Sequence, residues 1–212
     1  MDKLMTVTKK RGTLFLAVLA TGIAIIAIAN DITYPVQDPM LSQWEEFSHR
    51  PESKQLLLWL RCHAKARLAG ARCGERLKVI MPAYFGRLGI FITLKKGRKV
   101  RGCYGAFSHA STDIEKVFLD YLSGALMGDV RYEPLDAVEL DTADIIVSIT
   151  SPAYAVADLD SVDAFRYGIS VACGEEPVRV YVPAELRSTA VLRNLVKGKE
   201  CQISAFRAIT LR

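Results

Sequence analysis

Two strand-like runs separated by a short polar connection constrain this chain most. Residues 88–94 (LGIFITL) and 99–107 flank Lys95-Lys96-Gly97-Arg98, and glycine in such a connection is a hairpin signal. The second run contains Lys99-Val100-Arg101-Gly102-Cys103-Tyr104-Gly105, which puts Arg101, a thiol and two glycines inside a strand. In a regular strand Arg101, Cys103 and Gly105 share one face and Val100, Gly102 and Tyr104 the other. The two glycines also allow a bulge that breaks this alternation. The functional reading is a thiol held in a cleft beside a fixed positive charge. The structural alternative is a core-strand cysteine whose arginine reaches water.

The chain has 212 residues and a net charge of +5, enough length for one domain with a substantial core. The charge is unevenly placed: Lys3, Lys9, Lys10 and Arg11 against Asp2 put +3 into residues 1–29. The remaining 24 basic and 22 acidic residues leave a nearly neutral body, which argues against a nucleic-acid-binding protein. Five cysteines (Cys62, Cys73, Cys103, Cys173, Cys201) have no zinc-type spacing, and no metal site is expected.

Residues 13–29 carry no charge and end in Ala27-Ile28-Ala29. A basic start, an apolar stretch and an A-x-A end describe a signal peptide, and an uncleaved anchor is the alternative. Either way residues 30–212 are expected to be exported, with the basic flank staying inside. In an oxidising compartment at most two disulfides are expected, Cys62–Cys73 being a candidate, with Cys103 unpaired.

Residues 30–50 hold Pro35 and Pro39 with little periodicity and read as a linker. The domain is then expected over 51–212. Pro51 opens an amphipathic helix carrying Leu56, Leu57, Leu60, Ala64 and Leu68, ended by the glycines at 70 and 74. Thr112-Asp113-Ile114-Glu115 resembles a capping box, and Ile114, Val117, Phe118, Tyr121, Leu122, Ala125 and Leu126 follow at helical offsets. This helix is expected to cover the Cys103 strand. Gly128-Asp129 stops it, and the loop from 129 to 135 is either held by an Asp129–Arg131 pair or is a plain surface turn. Residues 143–150 alternate as a strand, and 167–172 with 178–182 form a second hairpin around Gly174. Residues 184–196 read as a helix, and 202–211 as a final element of open type. Hairpins interleaved with helices indicate an α+β fold with a largely antiparallel sheet and packing helices.

Several stretches together resemble the AMMECR domain family, whose bacterial members are called AmmeMemoRadiSam system protein A. Val100-Arg101-Gly102-Cys103-Tyr104-Gly105 resembles its Leu-Arg-Gly-Cys-Ile-Gly signature, and Asp129-Val130-Arg131-Tyr132-Glu133-Pro134-Leu135 its Asp-Pro-Arg-Phe-x-Pro-Leu. Val130 stands where that pattern has proline, and Tyr104 where it has an aliphatic residue. The resemblance implies two subdomains forming a cleft lined by the Arg-Gly-Cys strand. It also implies association with a Memo-type dioxygenase-like protein and a radical S-adenosylmethionine protein.

Three functions are open at this point. A cleft built from Arg101, Gly102, Cys103, Tyr104, Gly105, Asp129 and Arg131 binds a small anionic ligand or a peptide. Alternatively Cys103 is a catalytic or redox thiol, its thiolate favoured by Arg101, with His109 the nearest sequence candidate for a base. In the third, the domain is a membrane-associated adaptor. The sequence names no cofactor.

Overall fold

The computed structural model describes residues 38–186 and 188–212. The signal or anchor expectation for residues 1–29 therefore lies outside the described residues. Among the described residues no helix is long and apolar enough to cross a membrane.

The expected linker is corrected over its second half. Helix α1 spans Pro39–Ser48, with Asp38 as N-cap accepting from the Met40 N–H at 2.9 Å and proline at its first position. Leu41, Trp44 and Phe47 recur every three residues and are all buried. The indole N–H of Trp44 donates to Ala83 O at 2.9 Å, so the two aromatics are core anchors. Two prolines made the segment read as loop; one of them instead starts the helix.

Helix α2, Pro51–Leu68, buries Leu56, Trp59, Leu60 and Ala64. It ends before Gly70, whose φ of +64° favours glycine. The chain then turns back, bringing Cys73 to Cys62 with a Cα separation of 5.7 Å and a disulfide between them. A continuous helix would have kept the two apart.

The sheet is antiparallel throughout. Strands β1 (Gly89–Lys96), β2 (Lys99–Ala106), β3 (Asp144–Thr150), β5 (Tyr167–Cys173), β6 (Arg179–Tyr181) and β7 (Cys201–Leu211) lie in the order β2-β1-β3-β7-β5-β6. The short β4, Tyr154–Ala155, pairs β7 beyond β3. Strand β7 settles the open assignment at the C-terminal end. Its last residues pair β3 (Ser148↔Thr210), and its first pair β5 (Cys173↔Cys201). The latter partners form the second disulfide, leaving Cys103 as the free thiol.

Helix α3, Ile114–Met127, is capped by Asp113, which accepts from the Glu115 and Lys116 N–H groups. The short helix α4, Ala137–Thr142, was not anticipated. At the other end, α5 covers only Ala190–Val196 of the stretch expected to be helical.

Alternation along the strands separates two faces. Ile90, Ile92 and Leu94 of β1 with Ile145, Val147 and Ile149 of β3 join α1, α2 and α3 in the main core. Phe91 and Ile146 point the other way and meet Cys103, Val182, Ala184 and Phe206. A third cluster joins β5 to Leu192 of α5.

Two glycines let β2 and α3 approach closely. A Cβ on Gly102 would lie 2.0 Å from Ala125 O, and one on Gly124 would lie 2.3 Å from the Tyr104 ring.

Candidate functional site

The β1–β2 register places Thr93 opposite Cys103 and Leu94 opposite Gly102, then shifts so that Lys95 faces Val100. Arg101 is the extra residue of this bulge, so the simple alternation ends there. Cys103 and Gly105 still share a face, opposite Gly102 and Tyr104. The Arg101 guanidinium instead meets Glu139 of α4, with Nε to Oε1 at 2.5 Å and Nη2 to Oε2 at 3.0 Å. Arg101 was expected to flank the thiol; the cation that bears on Cys103 is Arg131.

Residues 128–131 hold the site from the far side. The Cys103 N–H donates to Asp129 Oδ2 at 2.8 Å. Arg131 grips the same carboxylate in a fork, Nε to Oδ1 at 2.9 Å and Nη2 to Oδ2 at 2.8 Å. Of the two readings the sequence left open for this loop, the structure has the Asp129–Arg131 pair. Arg131 Nη2 also lies 3.1 Å from Glu185 Oε1, and Glu185 Oε2 accepts from the Val182 N–H at 3.3 Å.

The Cys103 thiol accepts from the Thr93 hydroxyl at 3.3 Å, and the Glu185 carboxylate acts on it electrostatically, which closes a ring. Starting from Cys103, the path runs from its N–H to Asp129, Arg131 and Glu185, and back to its sulfur. Asp129 and Glu185 side chains are each 5% exposed, whereas Arg131 is 41% exposed.

The protonation states follow from this arrangement. Burial pushes the Cys103 thiol well above its ordinary range, and the Glu185 carboxylate adds to the effect. Glu185 is itself raised, chiefly by burial, against the pull of Arg131. Burial also acts to raise Asp129, but the Arg131 guanidinium and the Cys103 and Arg131 N–H groups outweigh it, and its pKa is lowered. The ring thus contains a protonated thiol and an ionised aspartate at neutral pH.

His109 is engaged elsewhere. Its Nε2 faces Leu88 O at 2.8 Å and its Nδ1 faces the Tyr121 hydroxyl at 2.8 Å. A carbonyl can only accept, so Nε2 donates to Leu88 O, and both ring nitrogens are occupied away from Cys103. Among the described residues one group could bring three metal-ligand atoms together, Cys62, Cys73 and Glu75, and its two sulfurs are joined in a disulfide.

Beside the ring lies a pocket of about 640 Å³, lined by Cys103, Tyr104 and Gly105, by residues 128–131 and by residues 177–181. Strands β2 and β6 are opposite ends of the sheet order. Because both border one pocket, the sheet curls until its two edges face each other. Asp129 binds the β2 edge through Cys103, Glu185 binds the end of β6 through Val182, and Arg131 bridges the two carboxylates. The ring is a clasp across that seam. Glu185, Thr93, Glu139 and the 177–181 wall carry no motif in the sequence. Thr93 alone was reachable, from the pairing of the first hairpin.

These features define an α+β domain with helices on one face of a curled antiparallel sheet and a buried, glycine-flanked cysteine at its seam. The chain belongs to the AMMECR1 family, whose profile matches residues 40–201. A protein of Thermotoga maritima is 33% identical over 89 residues, 42% of this chain and 51% of that protein. One of Methanothermobacter thermautotrophicus is 31% identical over 104 residues, 49% of this chain and 53% of that protein. The chain thus spans about half the length of these two relatives. An uncharacterised protein of Pyrococcus horikoshii has the same fold, with a TM-score of 0.56 and 17% identity, over 75% of this chain and 90% of its own.

Proposed function

We propose that this domain is a binding module whose pocket takes an extended peptide segment between β2 and β6. The observation that carries the reading is that both edges of one sheet border the same pocket. Edge strands present main-chain donors and acceptors that an added strand can use. Tyr104, Val130 and Val178 give the pocket an exposed apolar rim, at 44%, 99% and 61% exposure. A small anion is less well served, because Arg131 already meets two carboxylates and Arg101 is committed to Glu139. A cysteine-dependent reaction is also disfavoured, because burial keeps the Cys103 thiol protonated.

Within this proposal the domain and a smaller unit around β5–β7 form the two walls of the cleft. The peptide is supplied by a Memo-type or radical S-adenosylmethionine partner, the association that the family resemblance implies. Residues 1–29 act as signal peptide or anchor, and the domain works outside the cytoplasmic membrane. Two disulfides support that location, since disulfides persist in oxidising compartments. The membrane-associated adaptor reading is compatible with this arrangement.

Panning a random linear-peptide library against the chain tests the proposal. Enriched peptides are expected to lose at least tenfold in affinity on Val180→Pro, which alters the β6 edge, and on Val178→Asp, which charges its rim. Enrichment that both variants leave unchanged would sink the reading.

A further inference from the structure

We propose a second ligand site, separate from the Cys103 pocket, that takes an anionic amphiphile: a phosphate or carboxylate head on an alkyl chain. It is a pocket of about 670 Å³ between α2, the β1–β2 turn and the start of β3. Lys54, Arg61, Lys95 and Arg212 are the basic residues of its lining and Asp144 the acidic one, the Lys95 ammonium itself turning to Ala184 on the Cys103 face of the sheet.

Two of these cations are held by neutral acceptors. Arg61 Nη1 and Nη2 donate to Leu140 O at 2.9 Å and Ala143 O at 2.6 Å. Lys95 Nζ donates to Ala184 O at 2.8 Å. A carbonyl fixes the position of such a group without forming an ion pair, unlike the carboxylate partners of Arg101 and Arg131; Asp141, already paired with Lys65, is the acid whose field reaches Arg61. The Arg61 head keeps further N–H donors for a ligand.

The rest of the wall is apolar. Ile145 and Ile146 are 5% and 6% exposed, while Leu58 is 64% exposed on α2 one turn from Lys54. A ligand that satisfied only the cations would leave Leu58 in water. An uncharged chain would leave the cations without counter-charge in a concave site, where attraction for an anion is screened less than on an open surface. An anionic head with an alkyl tail satisfies both. A nucleic acid fits less well, because the body is nearly neutral and the pocket contains no aromatic side chain.

The full chain, as isolated after processing in the cell, is photolabelled with a diazirine-bearing dodecyl phosphate below its micelle concentration and mapped by mass spectrometry. Adducts are expected in residues 54–61 and 144–146. Unlabelled dodecyl phosphate should compete at concentrations at least tenfold below inorganic phosphate or dodecanol. Lys54→Glu and Leu58→Asp, both at exposed positions, should each lower labelling at least fivefold. Gln55→Glu, exposed on the same helix but outside the pocket, should leave it unchanged.

Competition by phosphatidylcholine vesicles containing phosphatidylglycerol, and not by phosphatidylcholine alone, would identify a bilayer as the source. Competition by free dodecyl phosphate alone would identify a monomeric ligand; both outcomes support the site. Adducts scattered over the surface, equal labelling of the Lys54→Glu and Gln55→Glu variants, or inorganic phosphate competing as well as dodecyl phosphate would overturn it.

Discussion

The main-chain N–H of Cys103 donates to Oδ2 of Asp129 at 2.8 Å, so the signature cysteine is bound through its backbone as well as its sulfur. Arg131 joins Asp129 to Glu185, and both carboxylates are nearly inaccessible. Removing the cation leaves two buried acids facing each other. Arg131→Ala is therefore expected to destabilise the domain by about 3 kcal/mol, the low end for breaking a buried pair because the guanidinium is partly solvated. Arg131→Lys should fall in between, since it keeps the charge but loses the fork. Denaturant midpoints at neutral pH measure both.

The thiol should behave as a hydrogen-bonding group. Cys103 is 8% exposed, accepts from Thr93 and feels the Glu185 carboxylate. Iodoacetamide at pH 7 should label it far more slowly in the folded chain than after unfolding. Arg101→Ala should leave that rate unchanged, because Arg101 is turned to Glu139. Mass-mapped labelling checks this, and a fast, salt-sensitive reaction in the folded chain would restore the activated thiol.

The β2–α3 contact predicts a ranking of glycine substitutions. A Cβ on Gly102 meets the Ala125 carbonyl, which belongs to a helix backbone and can yield only if α3 shifts. Gly102→Ala is expected to cost at least 1–3 kcal/mol, the usual range for overpacking. A Cβ on Gly124 meets the Tyr104 ring, a side chain that is 44% exposed. Gly124→Ala should thus be relieved by Tyr104→Ala, whereas Gly102→Ala should not. Thermal or denaturant unfolding of the single and double variants separates the two cases.

Local periodicity carried most of the sheet and the long helices into view from the sequence. The β1–β2 hairpin, α2, α3 and the β5–β6 hairpin each have a pattern and a stop signal within the element itself. The α1 helix was missed because Pro35 and Pro39 outweighed the short Leu41, Trp44, Phe47 repeat, whose burial depends on distant residues such as Ala83. The candidate site was half legible. Cys103, Asp129 and Arg131 stand in motifs, whereas Glu185 lies 56 residues beyond Asp129 and arrives only because the sheet curls. The role given to Arg101 failed for a local reason: one bulge residue turns the chain so that the cation leaves the cysteine's face.

The two carboxylates of the clasp predict opposite pH dependences. Asp129 lies below its ordinary value of 3.8 in the folded chain, so its contribution is present above that value. It is lost as pH falls through the lowered folded pKa. Glu185 lies above its ordinary value of 4.5. Its contribution is present below 4.5 and lost as pH rises through the raised folded pKa, since the folded state then holds a proton that the unfolded chain has released. Denaturant midpoints measured from acid to neutral pH should separate the two. Asp129→Asn should flatten the acid-side fall and leave the loss above 4.5 in place. Glu185→Gln should flatten the loss on the higher side while retaining the acid-side fall. If Glu185→Gln left the higher-pH limb unchanged, the burial of that carboxyl against Cys103 and Arg131 would not be the source of its shift. The clasp would then depend on Asp129 and Arg131 alone.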